Sequence, residues 1–79
     1  MHFVHEIQYS AELEQVEPSA EAAEEITQRV ERCCSDAINN GASGYGVARL
    51  RWGDHFLFAL YINNGGTVTL LSIRPDRVL

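Results

Sequence analysis

The stretch of sequence that decides the fold runs from Tyr45 to Ile73 and reads YGVARLRWGDHFLFALYINNGGTVTLLSI. Three apolar runs in it are rich in aromatic and β-branched residues and short enough to be strands: Val47–Trp52, Phe56–Ile62 and Thr67–Ile73. Gly53 stands first in a two-residue loop, which suits a type II′ turn, and Asn63-Asn64-Gly65-Gly66 supplies residues that tolerate positive φ. The sequence therefore predicts a three-stranded antiparallel meander.

The N-terminal segment alternates with the period of a strand. Apolar residues share one parity with His5, and polar residues hold the other: Phe3, Ile7, Tyr9, Ala11 and Leu13 against Glu6, Gln8, Ser10, Glu12 and Glu14. One buried face and one solvated face predict a strand from His2 to about Val16. An alternative interpretation places a short helix at Ala11–Val16, capped by Ser10.

A change of period after Pro18 predicts a helix over Ala20–Asn39. Ser19 is a good N-cap, and glutamates follow in the first two turns, where the helix dipole favours negative charge. Gly41 suits the left-handed cap that ends a helix. The apolar stripe recurs at spacings of three and four: Ala23, Ile26, Val30, Cys33 and Ala37. Two pairs of opposite charge lie four residues apart and can pair across a turn: Glu25 with Arg29, and Arg32 with Asp36.

The predicted order of elements is β-α-β-β-β. This order gives an α+β fold with a four-stranded, mostly antiparallel sheet and one helix packed on it, in a single domain over residues 1–79. A chain of this size buries only about 60–65% of its unfolded surface, so association would help to stabilise it. No apolar run approaches the roughly 18 residues that a membrane span needs.

Both faces of the predicted sheet are apolar. With Trp52 opposite His55 and Ile62 opposite Thr67, one face carries Ala48, Leu50, Trp52, Leu57, Ala59, Tyr61, Val68 and Leu70. The other face carries Tyr45, Val47, Phe56, Phe58, Leu60, Ile62, Leu71 and Ile73. One helix covers one face only, so we expect a homodimer or a partner contact on the other, through Phe56, Phe58, Leu60 and Leu71. Alternatively, the chain termini curl over that face or the register slips by one residue.

Charge is divided unevenly along the chain. The formal net charge is −5, with nine acidic residues against two arginines in residues 1–40 and four arginines against two aspartates in residues 41–79, giving −7 and +2. An acidic surface repels phosphate backbones, so we expect no direct nucleic acid partner. The acidic residues predict either a solvated face or a docking surface for a basic protein, with nucleic-acid-binding proteins among the candidates, through Glu12, Glu14, Glu17, Glu21, Glu24 and Glu31.

No residue set reaches a catalytic or metal-binding signature. Cys33 and Cys34 are adjacent on the helix, so their side chains point about 100° apart and cannot clamp one metal ion. We interpret them as small residues of the core, with Cys33 on the apolar stripe and Cys34 near its edge. His5 and His55 have no serine or cysteine placed by spacing to act as a nucleophile. We therefore expect a protein that is not an enzyme and has no metal and no cofactor. The absence of a signal peptide pattern and the cysteine usage predict a cytoplasmic location.

The segment Arg49-Leu50-Arg51-Trp52-Gly53-Asp54, with Tyr61 and Thr67–Leu71, resembles the C-terminal meander of RelE/ParE-type toxins. In that family the first strand is usually followed by a helical hairpin, whereas one helix is predicted here. The resemblance implies action on RNA or on a protein target, with the contacts made by Arg49, Arg51, Arg74 and Arg77.

The leading hypothesis from the sequence is an acidic, dimeric and non-enzymatic α+β protein that occupies a basic site on another protein. Size and charge are typical of small inhibitors from phages and mobile elements, including anti-CRISPR proteins, and of immunity and antitoxin proteins. The alternative is the RelE/ParE-like toxin. A small-molecule-binding dimer is a third possibility.

Overall fold

The computed structural model describes residues 1–76 and contains six elements of secondary structure. In chain order they are β1 (His2–His5), α1 (Ile7–Val16), α2 (Ala20–Asn39), β2 (Gly44–Trp52), β3 (His55–Asn64) and β4 (Thr67–Pro75). The class is α+β, as predicted. The order is β-α-α-β-β-β, with one helix more than expected.

The four strands form one mixed sheet in the order β1-β4-β3-β2. Strands β2, β3 and β4 make the predicted antiparallel meander. Strand β1 adds to the outer edge of β4 in parallel, with Phe3 opposite Val68 and His5 opposite Leu70. Parallel pairing requires a crossover between the two strands, and here the two helices and the first two strands of the meander lie between them in the chain. The sheet is therefore mixed rather than mostly antiparallel.

The predicted long strand from His2 to Val16 is wrong beyond His5, where the chain turns into helix α1. The buried residues of this helix, Tyr9 and Leu13, are four apart, and Val16 packs against the core three residues later. A spacing of four satisfies both the strand period and the helix period, so these residues do not distinguish the two. Ile7 does distinguish them, since a strand would bury it, yet it is 87% exposed.

Helix α2 has the bounds that the sequence predicts. The Ser19 hydroxyl accepts a hydrogen bond from the Ala22 backbone N–H at 3.4 Å and caps the N-terminus. Gly41 ends the helix with a φ of +96°, a conformation that L side chains rarely adopt. Ile26, Val30 and Cys34 form the buried stripe of the helix.

The first hairpin has the predicted register, with Trp52 opposite His55. Gly53 has a φ of +65°. Asp54, the second loop residue, does not have positive φ, because among the described residues only glycines do. Positive φ at the first loop position alone fits the type II′ turn.

The second hairpin differs from the prediction. Its turn is Gly65-Gly66, with φ of +61° and +90°, and Asn64 pairs with Thr67. Further along the ladder Tyr61 pairs with Leu70 but Leu60 pairs with Ser72, so Leu71 is the extra residue of a β-bulge. The bulge places Ile73 opposite Ala59 and moves it to the other face of the sheet.

Both helices pack on one face of the sheet and share one core with it. The core residues of the sheet are those of the first predicted face, with Ile73 added by the bulge and Trp52 only half-buried at its margin. The residues buried on the sheet are Ala48, Leu50, Leu57, Ala59, Tyr61, Val68, Leu70 and Ile73. The helices thus leave the second face open.

Candidate functional site

Glu12, one of the six glutamates predicted to bind a partner, makes contacts within the chain. Its Oε2 accepts a hydrogen bond from Nε of Arg74 at 2.8 Å, and its Oε1 accepts one from the Ile73 backbone N–H at 3.3 Å. These contacts fasten helix α1 to strand β4. The Glu12 side chain is only 20% exposed. It is therefore less available to a partner than a free carboxylate.

Glu31 also contacts another element. Its Oε2 lies 3.3 Å from Nε2 of His5, at the end of strand β1. The His5 ring packs beside Tyr9 with ring centroids 5.3 Å apart, and the Tyr9 hydroxyl shares a hydrogen bond of 2.8 Å with Oγ1 of Thr27. Burial raises the pKa of the Tyr9 phenol. The contacts join β1, α1 and α2.

The other four glutamates lie where α1 passes to α2. Glu14 is exposed and Glu17 half-buried at the end of α1, and Glu21 and Glu24 are exposed in the first two turns of α2. Within residues 1–76, none of the four has a basic group within 4.0 Å. We call Glu14, Glu17, Glu21 and Glu24 the acidic surface. The N-terminal dipole of α2 favours the negative charge of Glu21, which lies in its first turn.

A groove runs between the two helices beside the acidic surface. Its volume is about 310 Å³, near the lower end of the range for small-ligand pockets. Tyr9, Leu13 and Ala23 line its apolar part, and Glu14 and Glu17 carry carboxylates at its margin. The sequence prediction missed this groove because it assigned residues 9–16 to a strand.

The two predicted ion pairs within α2 do not form. Among the described residues, neither Glu25 with Arg29 nor Arg32 with Asp36 comes within 4.0 Å. The Arg29 guanidinium instead lies over the Trp52 ring, 5.8 Å from its centroid, at the margin of the core. Helix α2 therefore presents its acidic residues without compensation from its own arginines.

The open face of the sheet contains the predicted dimer residues. Phe56, Phe58 and Leu71 are half-buried and Leu60 is exposed, and all four lie outside the core. Tyr45 and Val47 extend this face and are 72% and 59% exposed. Together with Ile62, these six residues form what we call the open apolar face. No described element packs on it.

Arg49 lies on the same side of the sheet and contacts two of its aromatic residues. The Arg49 guanidinium is 3.9 Å from the centroid of the Phe56 ring and 6.0 Å from that of Phe58. Arg51 donates from Nε to the Gly53 carbonyl at 3.3 Å. Arg74 is bound by Glu12, and Arg77, the fourth arginine implied by the toxin resemblance, lies outside the described residues.

The two cysteines are placed in the reverse of the predicted order. Cys34 is fully buried in the core, and Cys33 is half-buried with Sγ 4.0 Å from the Arg49 carbonyl oxygen. Desolvation raises the pKa of Cys34 to about 12, with a smaller contribution from Cys33 beside it. A thiol with this pKa is a poor nucleophile near neutral pH.

Residues 1–76 contain no group of three or more histidine, cysteine, aspartate or glutamate side chains that could hold a metal ion. Among the helices of this part of the chain, none is both long and apolar enough to cross a membrane. No protein-family model matches the chain, and comparisons with curated proteins and with solved structures give no significant match.

Proposed function

We propose that the protein is a non-enzymatic protein-binding module that inhibits a partner by occupying a basic site on it. The observation that carries this proposal is the acidic surface: four carboxylates at the α1–α2 junction, without a cation in contact among the described residues. Retaining such a concentration of charge is unfavourable for the isolated fold, because like charges repel. A basic partner would relieve this repulsion.

The acidic surface would act in two steps. At long range its field would steer a positively charged partner toward the α1–α2 junction and raise the association rate. In contact, the carboxylates would take the positions that phosphate groups hold on the natural ligand of the basic site. Glu12 and Glu31 would support the surface from within, because each already holds two elements of the fold together. Affinity should therefore fall steeply as salt is added.

The open apolar face supports a second part of the proposal, a homodimer. Tyr45, Val47 and Leu60 are exposed on a sheet that the helices cover on the opposite side. Monomers rarely expose contiguous apolar patches of more than a few hundred Å². A dimer that buries this face would leave the acidic surfaces on its two outer sides, each free to engage a partner.

The biological setting that we propose is cytoplasmic inhibition of a nucleic-acid-binding protein. Small acidic inhibitors carried by phages and mobile elements, such as anti-CRISPR proteins, have comparable size and charge, as do immunity and antitoxin proteins. This assignment rests on the type of protein rather than on a motif.

Charge reversal tests the role of the acidic surface. Glu21→Arg with Glu24→Arg changes the formal net charge from −5 to −1. A matched control, Asp36→Arg with Asp54→Arg, makes the same change elsewhere: by helix rise Asp36 lies about 22 Å along α2 from Glu21, and Asp54 lies in the β2–β3 turn.

The readout is the affinity for the basic partner, isolated by affinity capture from a cell lysate and measured by calorimetry. The first variant should lose roughly hundredfold, as expected when like charges are opposed, while the control stays within about threefold. Equal losses of affinity in both variants would show that the net charge of the protein, and not the acidic surface, determines binding. Retained affinity in the first variant, with an unchanged melting temperature, would refute the proposed mechanism.

A RelE/ParE-like toxin is the second candidate, and one observation favours it. Helices α1 and α2 form a helical pair directly after β1, which is the arrangement that the family usually has. Arg49, Arg51 and Arg74 on the sheet would then contact RNA or a protein target. Induction of a toxin should arrest growth, and Arg49→Ala should relieve the arrest. Normal growth on induction would remove this candidate.

A further inference from the structure

We propose that the groove between α1 and α2 is a binding pocket for an arginine side chain of the partner. This inference rests on the proposed function, because it names the group by which a basic partner would anchor itself. Its evidence is the shape and chemistry of the groove.

The groove combines an apolar interior with carboxylates at its margin. Tyr9 and Leu13 of α1 form its floor but are only 0% and 8% exposed, so Pro18, Ala20 and Ala23 supply the apolar surface that a ligand can reach. Glu14 and Glu17 line the same groove, and within residues 1–76 neither is in contact with a cation. A ligand that fits must place an apolar stem inside and a positive charge at the edge.

Arginine meets both requirements better than lysine does. Its aliphatic stem can lie along apolar surface while the charged head reaches water or a carboxylate. The planar guanidinium binds a carboxylate through two parallel N–H donors and stacks on aromatic rings, whereas an ammonium group is a strongly hydrated point charge. The exposed ring of His5 lines the groove and offers such a surface. The volume of about 310 Å³ is sufficient for one long side chain.

The groove also depends on contacts that fix its walls. The Tyr9 hydroxyl is bonded to Thr27 of α2, and His5 is bonded to Glu31 of the same helix. Both bonds hold the N-terminal segment and α1 against α2 at one end of the groove. The walls are therefore held in place before a ligand arrives, which lowers the entropy cost of binding.

The test titrates the ¹⁵N-labelled full chain with acetyl-arginine amide and follows backbone amide shifts by NMR. Saturable shifts are expected at Leu13, Ala20 and Ala23. Acetyl-citrulline amide has the same shape without the charge and should give none, and acetyl-lysine amide (free ammonium) should bind several-fold more weakly. Equal response to arginine and citrulline, or shifts spread over the whole helical layer, would overturn the proposal.

Two variants with matched controls locate the site. Glu14→Gln with Glu17→Gln should weaken probe binding about tenfold, the combined effect expected of two surface ion pairs. Glu25→Gln with Asp36→Asn makes the same change in net charge at exposed positions outside the groove and the acidic surface, and should have little effect. Ala20→Leu should fill the groove and abolish binding, whereas Ala11→Leu adds the same side chain to an exposed site outside it. Equal effects of a variant and its control would contradict the assignment.

The experiment separates this inference from the proposed function. Arginine binding in the groove by a protein that captures no basic partner would support the pocket and refute the function. Capture of a basic partner by a protein whose groove binds no arginine would support the function and refute the pocket.

Discussion

Gly46 lies directly opposite Tyr61 in the β2–β3 ladder, and the tyrosine ring occupies the space where a side chain at residue 46 would stand. A Cβ on Gly46 would overlap Cζ and Oη of Tyr61 and lie 2.9 Å from its Cε1. The ring is only 4% exposed and belongs to the core, so it cannot swing aside freely. Gly46→Ala should therefore destabilise the fold.

The size of this effect follows from two opposing contributions. Overpacking of a core typically costs about 1–3 kcal/mol. Replacing a strand glycine by alanine returns roughly 0.5–1 kcal/mol, because glycine loses more chain entropy on folding. The net loss is about 1–2 kcal/mol, which lowers the melting temperature of a domain of this size by roughly 5–15 °C.

Thermal unfolding followed by circular dichroism measures the effect, and a double-mutant cycle identifies its cause. In a Tyr61→Leu background, where Cζ and Oη are absent, Gly46→Ala should be neutral or slightly stabilising. An unchanged or raised melting temperature for Gly46→Ala alone would refute the overlap. So would an equal loss in both backgrounds.

Three further predictions concern the core, the α1 anchor and the open apolar face. Cys33 should react with a thiol reagent at pH 8 well before Cys34, which is buried in the core. Burial raises the pKa of Cys34 from 9.0 to about 12, so the stability that the neutral thiol contributes should be complete below pH 9 and lost as pH rises toward 12. A urea midpoint that rises over that interval would contradict this sign. Glu12→Ala should lower the free energy of unfolding by about 1–2 kcal/mol, because it leaves the Ile73 N–H without its acceptor. Glu12→Gln keeps an acceptor and should lower it by about half as much or less in the same urea assay. Equal losses for the two variants would contradict this reasoning. Phe58→Glu should convert a wild-type dimer into monomer on sedimentation, and a monomeric wild type at tens of micromolar would contradict the dimer.

The elements with one clear period are the ones that the sequence predicts correctly. Helix α2 carries its apolar residues at helical spacing between a serine cap and a glycine stop, and its bounds agree with the structure. The first hairpin depends on one glycine in a two-residue loop, so its register follows locally. Strand β1 is different, because its parallel partner β4 lies more than sixty residues away in the chain, beyond any local signal.

Two errors have identifiable physical causes. In the second hairpin, four consecutive residues favour a turn, and the structure centres it on Gly65-Gly66. Thr67 therefore pairs with Asn64 instead of Ile62, a shift of two residues, which leaves every side chain on the same face of the sheet. The bulge at Leu71 has no signature in the sequence, and it alone moves Ile73 into the core.

The charges of the candidate site are visible in the sequence, but the partners of Glu12 and Glu31 are 62 and 26 residues away. Only the fold separates these two from the four glutamates of the acidic surface.

The measurement that tests the central claim most directly is affinity capture of the tagged protein from lysate of its host, with and without nuclease. Bound material is eluted by a step of salt and identified by mass spectrometry. The account predicts one basic protein that survives nuclease treatment and leaves with salt, because the acidic surface binds through screened charges. Recovery of ribosomes or RNA that nuclease removes would contradict it and favour the toxin. Recovery of the protein alone, with no partner, would contradict the binding function as well.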